Sequence, residues 1–321
     1  MTDRDFPDTP RADYAPTGVD TGTGFFATLK RAFKEFSEDN MTDWAASLTY
    51  YGLLALFPAL IALFSIIGLV GNPAKTTKTI TDIVHQITGS NAVAKPIESV
   101  AKQKSASGIL FIVGLVLALN SASGYIGAFM RASNVVWETP EGRKFFRLKP
   151  LQIFVTLLMI ILLMVILLSA VLTGPVVDAV AGPLGISGSV VSVWNIAKWP
   201  VLLLLLILMV AILYHFAPNV KMPGFKWVSP GALLAVVLTI IALAAFGFYV
   251  SQFGSYNKTY GTLGGVVALL VAVWITNCVL LLGMELNAER ERSVEIEAGV
   301  PRADREIQLE PRDAPKPKES T

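Results

Sequence analysis

The 321-residue chain is 53% hydrophobic and only 16% charged, with a mean hydropathy of +0.58, a balance that excludes an ordinary soluble domain and places it in the membrane class. Its formal charge of +2, from 26 Lys and Arg against 24 Asp and Glu, leaves no nucleic-acid footprint in bulk composition. One cysteine, Cys278, inside an apolar run, excludes an intramolecular disulfide and a CxxC metal or redox framework, and reads as a small buried filler.

Residues 1–24 are rich in Asp, Pro, Thr and Gly, the composition of a disordered tail. They lack a basic start followed by an apolar core, so no cleavable signal is expected and the first span serves as the insertion signal. In residues 25–43, Phe25, Leu29, Phe33 and Phe36 recur at helical spacing opposite Lys30, Arg31, Lys34 and Glu35. Such an amphipathic helix either lies at the headgroup level with its rings in the acyl boundary or docks on the bundle.

Six apolar runs follow, each near the roughly 20 residues that cross a bilayer core. The first, 44–70, has Asp43 as its N-cap and stops at Gly71-Asn72-Pro73. Its stripe of Ser47, Tyr51, Leu54, Pro58, Ala62 and Ser65 predicts a polar, kinked face toward the bundle, with Pro58 freeing the Leu54 carbonyl. Residues 71–107 are too long for a plain loop, and their periodicity suggests two short amphipathic helices. The second run covers 108–130. The third and fourth, 151–173 and 199–216, are almost purely Leu, Ile, Val and Met and read as lipid-facing walls, separated by a 174–195 stretch without Lys or Arg. The fifth, 231–251, opens on Ser229-Pro230, an N-cap and a proline at the first helical position. A polar turn at 251–262 joins it to the sixth, 263–285, as a hairpin. Past Asn287 the charged tail, interrupted by Pro301, Pro311, Pro315 and Pro317, is expected to be mobile after one or two more helical turns.

Orientation follows from where the basic residues fall. With both ends inside, about 19 Lys and Arg face the cytoplasm and about 7 the outside. Trp194 and Trp199 outside and Trp137 and Trp227 inside fit aromatic belts. The expected architecture is all-α and polytopic: six transmembrane helices within 44–286, an extracytoplasmic helical loop at 71–107, both termini cytoplasmic, and a charged tail at 287–321.

Four stretches carry a family resemblance: MTDWAASLTYYGLLALFPAL, ALNSASGYIGAFMRASNVVWE, LYHFAPNVKMPGFKWVSPGALLA and FGSYNKTYGTLGGVVALLV ending in LLGMELNAE. In this order they resemble the YihY/BrkB family of bacterial membrane proteins, from about Ala32 to Arg290. The resemblance implies a six-helix protein of the bacterial inner membrane. It implies no settled activity, since some members have been labelled ribonuclease BN and others virulence or serum-resistance factors.

The residues speak against the nuclease. Metal-dependent RNA cleavage needs clustered carboxylates and histidines, whereas His85 and His215 fall on opposite membrane faces and no HxxEH, DxD or HxHxDH-like grouping occurs. The inner basic loops are explained by topology, so no nucleic-acid partner is expected. No GxSxG, Walker or GxGxxG motif is present; neither a catalytic residue, a cofactor nor a metal site is expected.

What remains is polar groups at bilayer depth, which are costly and point to function. Asn120 lies ~18 Å into the second span, and shares a face with Gly124, Gly127 and Arg131. This is either a smooth groove with a cation at its mouth, suited to an anionic headgroup or solute, or a packing seam with Asn120 bonded to a neighbour. Tyr50, Tyr51 and the freed Leu54 carbonyl could line the same cavity, and Tyr50 equally suits an aromatic belt. Asn277 stands at mid-depth beside a small-residue stripe in the sixth span. Glu285, ~33 Å along that span, should emerge at the cytoplasmic surface, as a snorkelling or Arg-paired carboxylate or as a gating or proton-coupling acid. Tyr256 and Asn257 in the hairpin turn either cap the outer interface or face a ligand. The sequence thus suggests a transporter or flippase-like protein for an anionic lipid or small solute, with a cavity among spans 1, 2, 5 and 6. The alternative is a non-transporting scaffold or envelope-integrity factor. Membrane lipids are the expected partners, and a homo-oligomer stays open.

Overall fold

The computed structural model describes residues 22–70, 107–171, 188–222, 224, 227–252 and 256–314, with some side chains inside the helices outside that set. Among the described residues there are seven helices and no strand: α1 (Phe25–Glu38), α2 (Met41–Val70), α3 (Ser107–Val136), α4 (Phe145–Val171), α5 (Gly188–Phe216), α6 (Pro230–Gln252) and α7 (Tyr256–Glu297). Four contain stretches long and apolar enough to cross a membrane: Phe145–Ile166, Val191–Phe216, Pro230–Val250 and Gly264–Glu297. Of the expected tail at 1–24 and helical loop at 71–107, residues 1–21 and 71–106 lie outside the described residues, as do 253–255 of the turn expected at 251–262. That turn is shorter than expected, because α6 runs to Gln252 and α7 already begins at Tyr256.

Each helix exists where an apolar run predicts it, but several begin earlier than expected. Helix α2 starts at Met41, so Asp43 sits in its first turn instead of capping it, still favoured there by the helix dipole. Asn40, in the left-handed region at φ 52°, makes the turn from α1; an Asn tolerates that conformation better than most residues. Helix α4 starts six residues before its apolar run, and α5 begins at Gly188, within the stretch expected to be a loop. The start of α6 is as expected: the Ala232 amide donates to Ser229 Oγ at 3.1 Å, and Pro230 is its first residue.

The buried core sits at one end of the bundle. Met41 and Leu48 of α2, Phe129 and Met130 of α3, Val155 of α4 and Leu281 and Met284 of α7 are fully enclosed. Tyr214 of α5 stacks on Phe129 with ring centroids 6.5 Å apart. At the other end Ile112, Val116, Ile161, Val193, Ile240 and Phe248 are exposed, as suits surfaces solvated by lipid tails. Helices α6 and α7 approach at Gly231 and Gly283: a Cβ on Gly283 would lie 2.6 Å from Tyr214 Oη and 2.8 Å from Ala235 Cβ. Small residues let these backbones meet.

The charged end is a folded layer up to residue 314, which corrects the expectation of a tail that is mobile after one or two more helical turns past Asn287. Helix α7 runs on to Glu297, and residues 300–314 fold back across the loops. Asn219 is their clasp: its amide N–H donates to Asn134 Oδ1 at 2.8 Å, its Nδ2 donates to the Asp313 carbonyl at 2.8 Å, and its Oδ1 accepts from the Asp313 amide at 3.1 Å. Arg312 donates to the carbonyls of Val220 at 2.8 Å and His215 at 2.6 Å. A β-bridge pairs Val220 with Pro311. Such long-range polar bonds satisfy loop backbone that no helix could.

Candidate functional site

The residues singled out by sequence separate into three places. The first is a hydrogen-bonded seam where α2, α3 and α7 meet. Tyr125 donates to Asn277 Oδ1 at 2.8 Å, Asn277 Nδ2 donates to Thr49 Oγ1 at 3.2 Å, and Thr49 donates back to the Ala45 carbonyl at 2.8 Å. With its amide thus engaged and 2% of its surface exposed, Asn277 fastens helices and lines no cavity. At this level the space expected between α2, α3 and α7 is taken up by three polar side chains that satisfy one another.

The second place is the charged end, which holds Glu285. Arg31 of α1 donates to Glu289 at 2.7 Å and to Ser293 Oγ at 2.6 Å. Arg292 donates to Glu138 at 2.8 Å and lies 3.2 Å from Glu289 and 3.7 Å from Glu35. Glu138 ends α3 in the left-handed region at φ 49°, held there by Arg292 and by the Ile307 amide at 2.9 Å. Helix α1 therefore docks on α7 through buried Thr28, Arg31 and Ala32. Its other face leaves Phe25, Phe26 and Phe33 exposed, so of the two readings of this amphipathic helix the contacts support docking on the bundle. Burial, opposed by the Arg292 charge and reinforced by Glu289 and Glu138, raises the Glu35 carboxyl above its ordinary value. In the nearby loop Glu141 is partly buried, yet hydrogen bonds from the Arg143 side chain and backbone hold its carboxyl below the ordinary value.

Glu285 does not emerge at the surface. It is 1% exposed, and its Oε1 meets no hydrogen-bond partner. The correction has a physical cause: the α7 surface one to two turns further on is roofed by α1 and Glu138, so the helix leaves the apolar region while still enclosed. Neighbouring Asn287, unnoticed as a structural residue, caps α6 by accepting from the Gly231 amide at 2.9 Å and donating to Ser229 Oγ at 2.9 Å.

The third place is a groove on α3 between α2 and α4. Its floor is Gly124 and Gly127. Tyr51 forms one wall, 3.4 Å from where a Gly124 Cβ would stand, and the Arg131 guanidinium lies over the same ring, 5.9 Å from its centroid. Tyr50 meets Tyr51 edge to face at 5.6 Å and is itself exposed. The other wall comes from α4: Gln152 Nε2 lies 2.9 Å from the position of a Gly127 Cβ, and Lys149 Nζ donates to Ser123 Oγ at 2.7 Å. Ser123 Oγ in turn donates to the Asn120 carbonyl at 2.8 Å. Asn120 and Arg131 are exposed along this face. Of the expected residues, Tyr50, Tyr51, Asn120, Gly124 and Arg131 come together here; Asn277 and Glu285 do not. Tyr256 and Asn257 open α7, and their side chains lie outside the described residues.

Sequence reasoning does not find Lys149 and Gln152, since Lys149 counts only among the inner basic residues and Gln152 is one polar position at the start of an apolar run. The clue was spacing: three residues apart near a helix start, they face the same neighbour. Among the described residues no three His, Cys, Asp or Glu converge as a metal-binding group.

Residues 32–307 match the family model described as virulence factor BrkB. The chain is 31% identical over 262 residues to a Bacillus subtilis (strain 168) protein, YfkH, whose name describes it as ribonuclease-like; the match covers 81% of this chain and 94% of that one. It is 26% identical over 269 residues to the UPF0761 membrane protein NTHI0384 of Haemophilus influenzae (strain 86-028NP), covering 79% and 91% of the two chains. A UPF0761 membrane protein of Alcanivorax borkumensis is also 26% identical, over 82% of this chain and 59% of its own length. No solved structure matches. With a model match spanning most of its length and apolar helices in the same order as the family motifs, the chain is a membrane protein that belongs to the BrkB virulence-factor family.

Proposed function

We propose that this chain is a multi-pass protein of the bacterial inner membrane that moves an anionic lipid or small solute along the groove between α2, α3 and α4. In this reading α2 to α7 are the six spans, and the charged end, with both termini, is cytoplasmic. The observation that carries it is a groove at bilayer depth with a glycine floor, aromatic and amide walls and two cations. Polar lining of this kind is expensive in lipid and is retained where a polar cargo must pass. In this reading the path opens toward α4, since the Asn277 seam packs α7 against α2 and α3.

The reading is non-enzymatic. The name of the Bacillus subtilis relative suggests RNA cleavage, and purified protein that cut RNA after removal of soluble nucleases would displace it. The direct test is reconstitution of the full chain into phosphatidylcholine vesicles carrying a fluorescent phosphatidylglycerol in one leaflet, or loaded with a labelled anion. Movement above that of empty vesicles is expected, falling by about tenfold in Asn120→Leu and Arg131→Gln, the loss of roughly one charge-assisted contact. Rates equal to those of empty vesicles would favour the scaffold reading, in which the exposed phenyl rings of α1 and the C-terminal layer recruit partners.

A further inference from the structure

The groove has a property that its sequence pattern did not show: its donors outnumber its acceptors, and its charge is unbalanced. Lys149 belongs to the second turn of α4, one turn nearer the loop than Gln152. Yet its ammonium ends on Ser123, one turn further from the loop than Gly127, which Gln152 meets. The lysine therefore runs inward along α3, opposite to the outward snorkelling usual for long cations near a membrane boundary. An ammonium has three N–H donors, and here one neutral hydroxyl satisfies one of them. Ser123 cannot help further, since its proton is engaged by the Asn120 carbonyl.

Arg131 is placed in a similar way. Tyr51 covers one face of its guanidinium and leaves the N–H edge available. Among the described residues neither Arg131 nor Lys149 makes an ion pair with Asp or Glu. Gln152 adds an amide, and Asn120 another. Arg131 is exposed, so the cost falls on Lys149: a half-buried cation without a counter-charge is unfavourable unless something supplies one.

We propose that Arg131 and Lys149, with Gln152 and Asn120, form a binding site for a phosphate-class oxyanion. Resting on the transport reading above, this names the chemistry of its cargo. An Arg fork presents paired donors and a lysine a point charge, the combination that suits a tetrahedral anion with several oxygens. Such a group could arrive as a phospholipid headgroup, sliding in from the membrane beside exposed Asn120, or as a free phosphate.

The full chain, purified in detergent, is tested in two arms. In one, mixed micelles of phosphatidylcholine and phosphatidylglycerol are added, and native mass spectrometry counts retained phosphatidylglycerol. In the other, inorganic phosphate is titrated calorimetrically. Binding in the first arm alone identifies a lipid headgroup; binding in the second identifies the free anion. In the arm that binds, Arg131→Gln and Lys149→Gln should each weaken binding by about tenfold, the worth of one charge-assisted bond. Lys149→Arg should keep most of it. Should Lys149→Gln fail to fold, the exposed Arg131→Gln variant carries the test. Binding absent from both arms, or unchanged in folded variants, overturns the inference. Binding lost in the variants while vesicle transport proceeds unchanged would leave the site standing and overturn the reading that this groove is the transport path.

Discussion

Two pairs of cations in this chain are handled in opposite ways. Arg31 and Arg292, each 2% exposed, are matched by Glu289, Glu138 and Glu35 at the charged end. Arg131 and Lys149 meet a tyrosine ring and a serine hydroxyl instead. Full pairing is what a buried charge needs to hold an interior shut, and it leaves nothing over for a guest. Incomplete pairing is poor architecture but leaves donors available. The difference teaches that the positive residues of this protein cannot be read as one class, although they look alike in a count of charges.

That contrast can be broken most strongly at the paired end. Arg292→Met should lower stability by about 3–5 kcal/mol, because Glu138 and Glu35 would lose their counter-charge and Glu289 would keep only Arg31; thermal unfolding in detergent would show it, and a change below about 1 kcal/mol would mean that the pairs are incidental. Gly283→Val should follow at about 1–3 kcal/mol, since its side chain has no room between Tyr214 and Ala235. Asn287→Ala, which removes the cap of α6, should cost about 1 kcal/mol by the same measurement. At the other pair the prediction reverses: Arg131→Gln should leave the unfolding temperature nearly unchanged, within about 0.5 kcal/mol, as for an exposed residue outside any network, while lowering transport. Equal loss of stability at both pairs would erase the distinction.

The smallest effect is in pH. Glu35 has a raised carboxyl, so the folded state holds its proton more tightly than the unfolded chain does. Its contribution is fully present in acid and is lost as pH rises from the ordinary carboxylate value of 4.5 through the higher folded value. Glu141 acts in the opposite sense: its contribution is present above the ordinary value and lost as pH falls through the lower folded one. Unfolding temperature against pH should lose the first component in Glu35→Gln and the second in Glu141→Gln; identical curves for both variants and the parent would refute the assignment.

Helix existence was legible in this chain because apolar runs of bilayer length leave few alternatives, and Ser229-Pro230 announced its helix start by local chemistry alone. Starts without such punctuation were not: nothing in Gly188 to Asn195 marks a boundary, and the first turns of α4 are carried by Phe145 and Phe146 beside Arg147. The groove was half legible, since Asn120, Gly124 and Arg131 share a helical face. Its second wall was hidden because Lys149 and Gln152 approach from another helix. Least legible was the charged end, where Arg31 bonds Glu289 across 258 positions of sequence. Glu285 was misplaced for the same reason: distance along a helix says nothing about what covers it.

The clasp between α1 and α7 also sets an order of events. Glu289 and Ser293 leave the ribosome long after Arg31, so the amphipathic first helix must wait, unpaired, until every intervening span has entered the bilayer. During that wait its phenyl rings can hold it against the membrane surface. Only then can its arginine turn inward, which makes the closing of this end a late step of biogenesis, with residues 300–314 folding back across it later still.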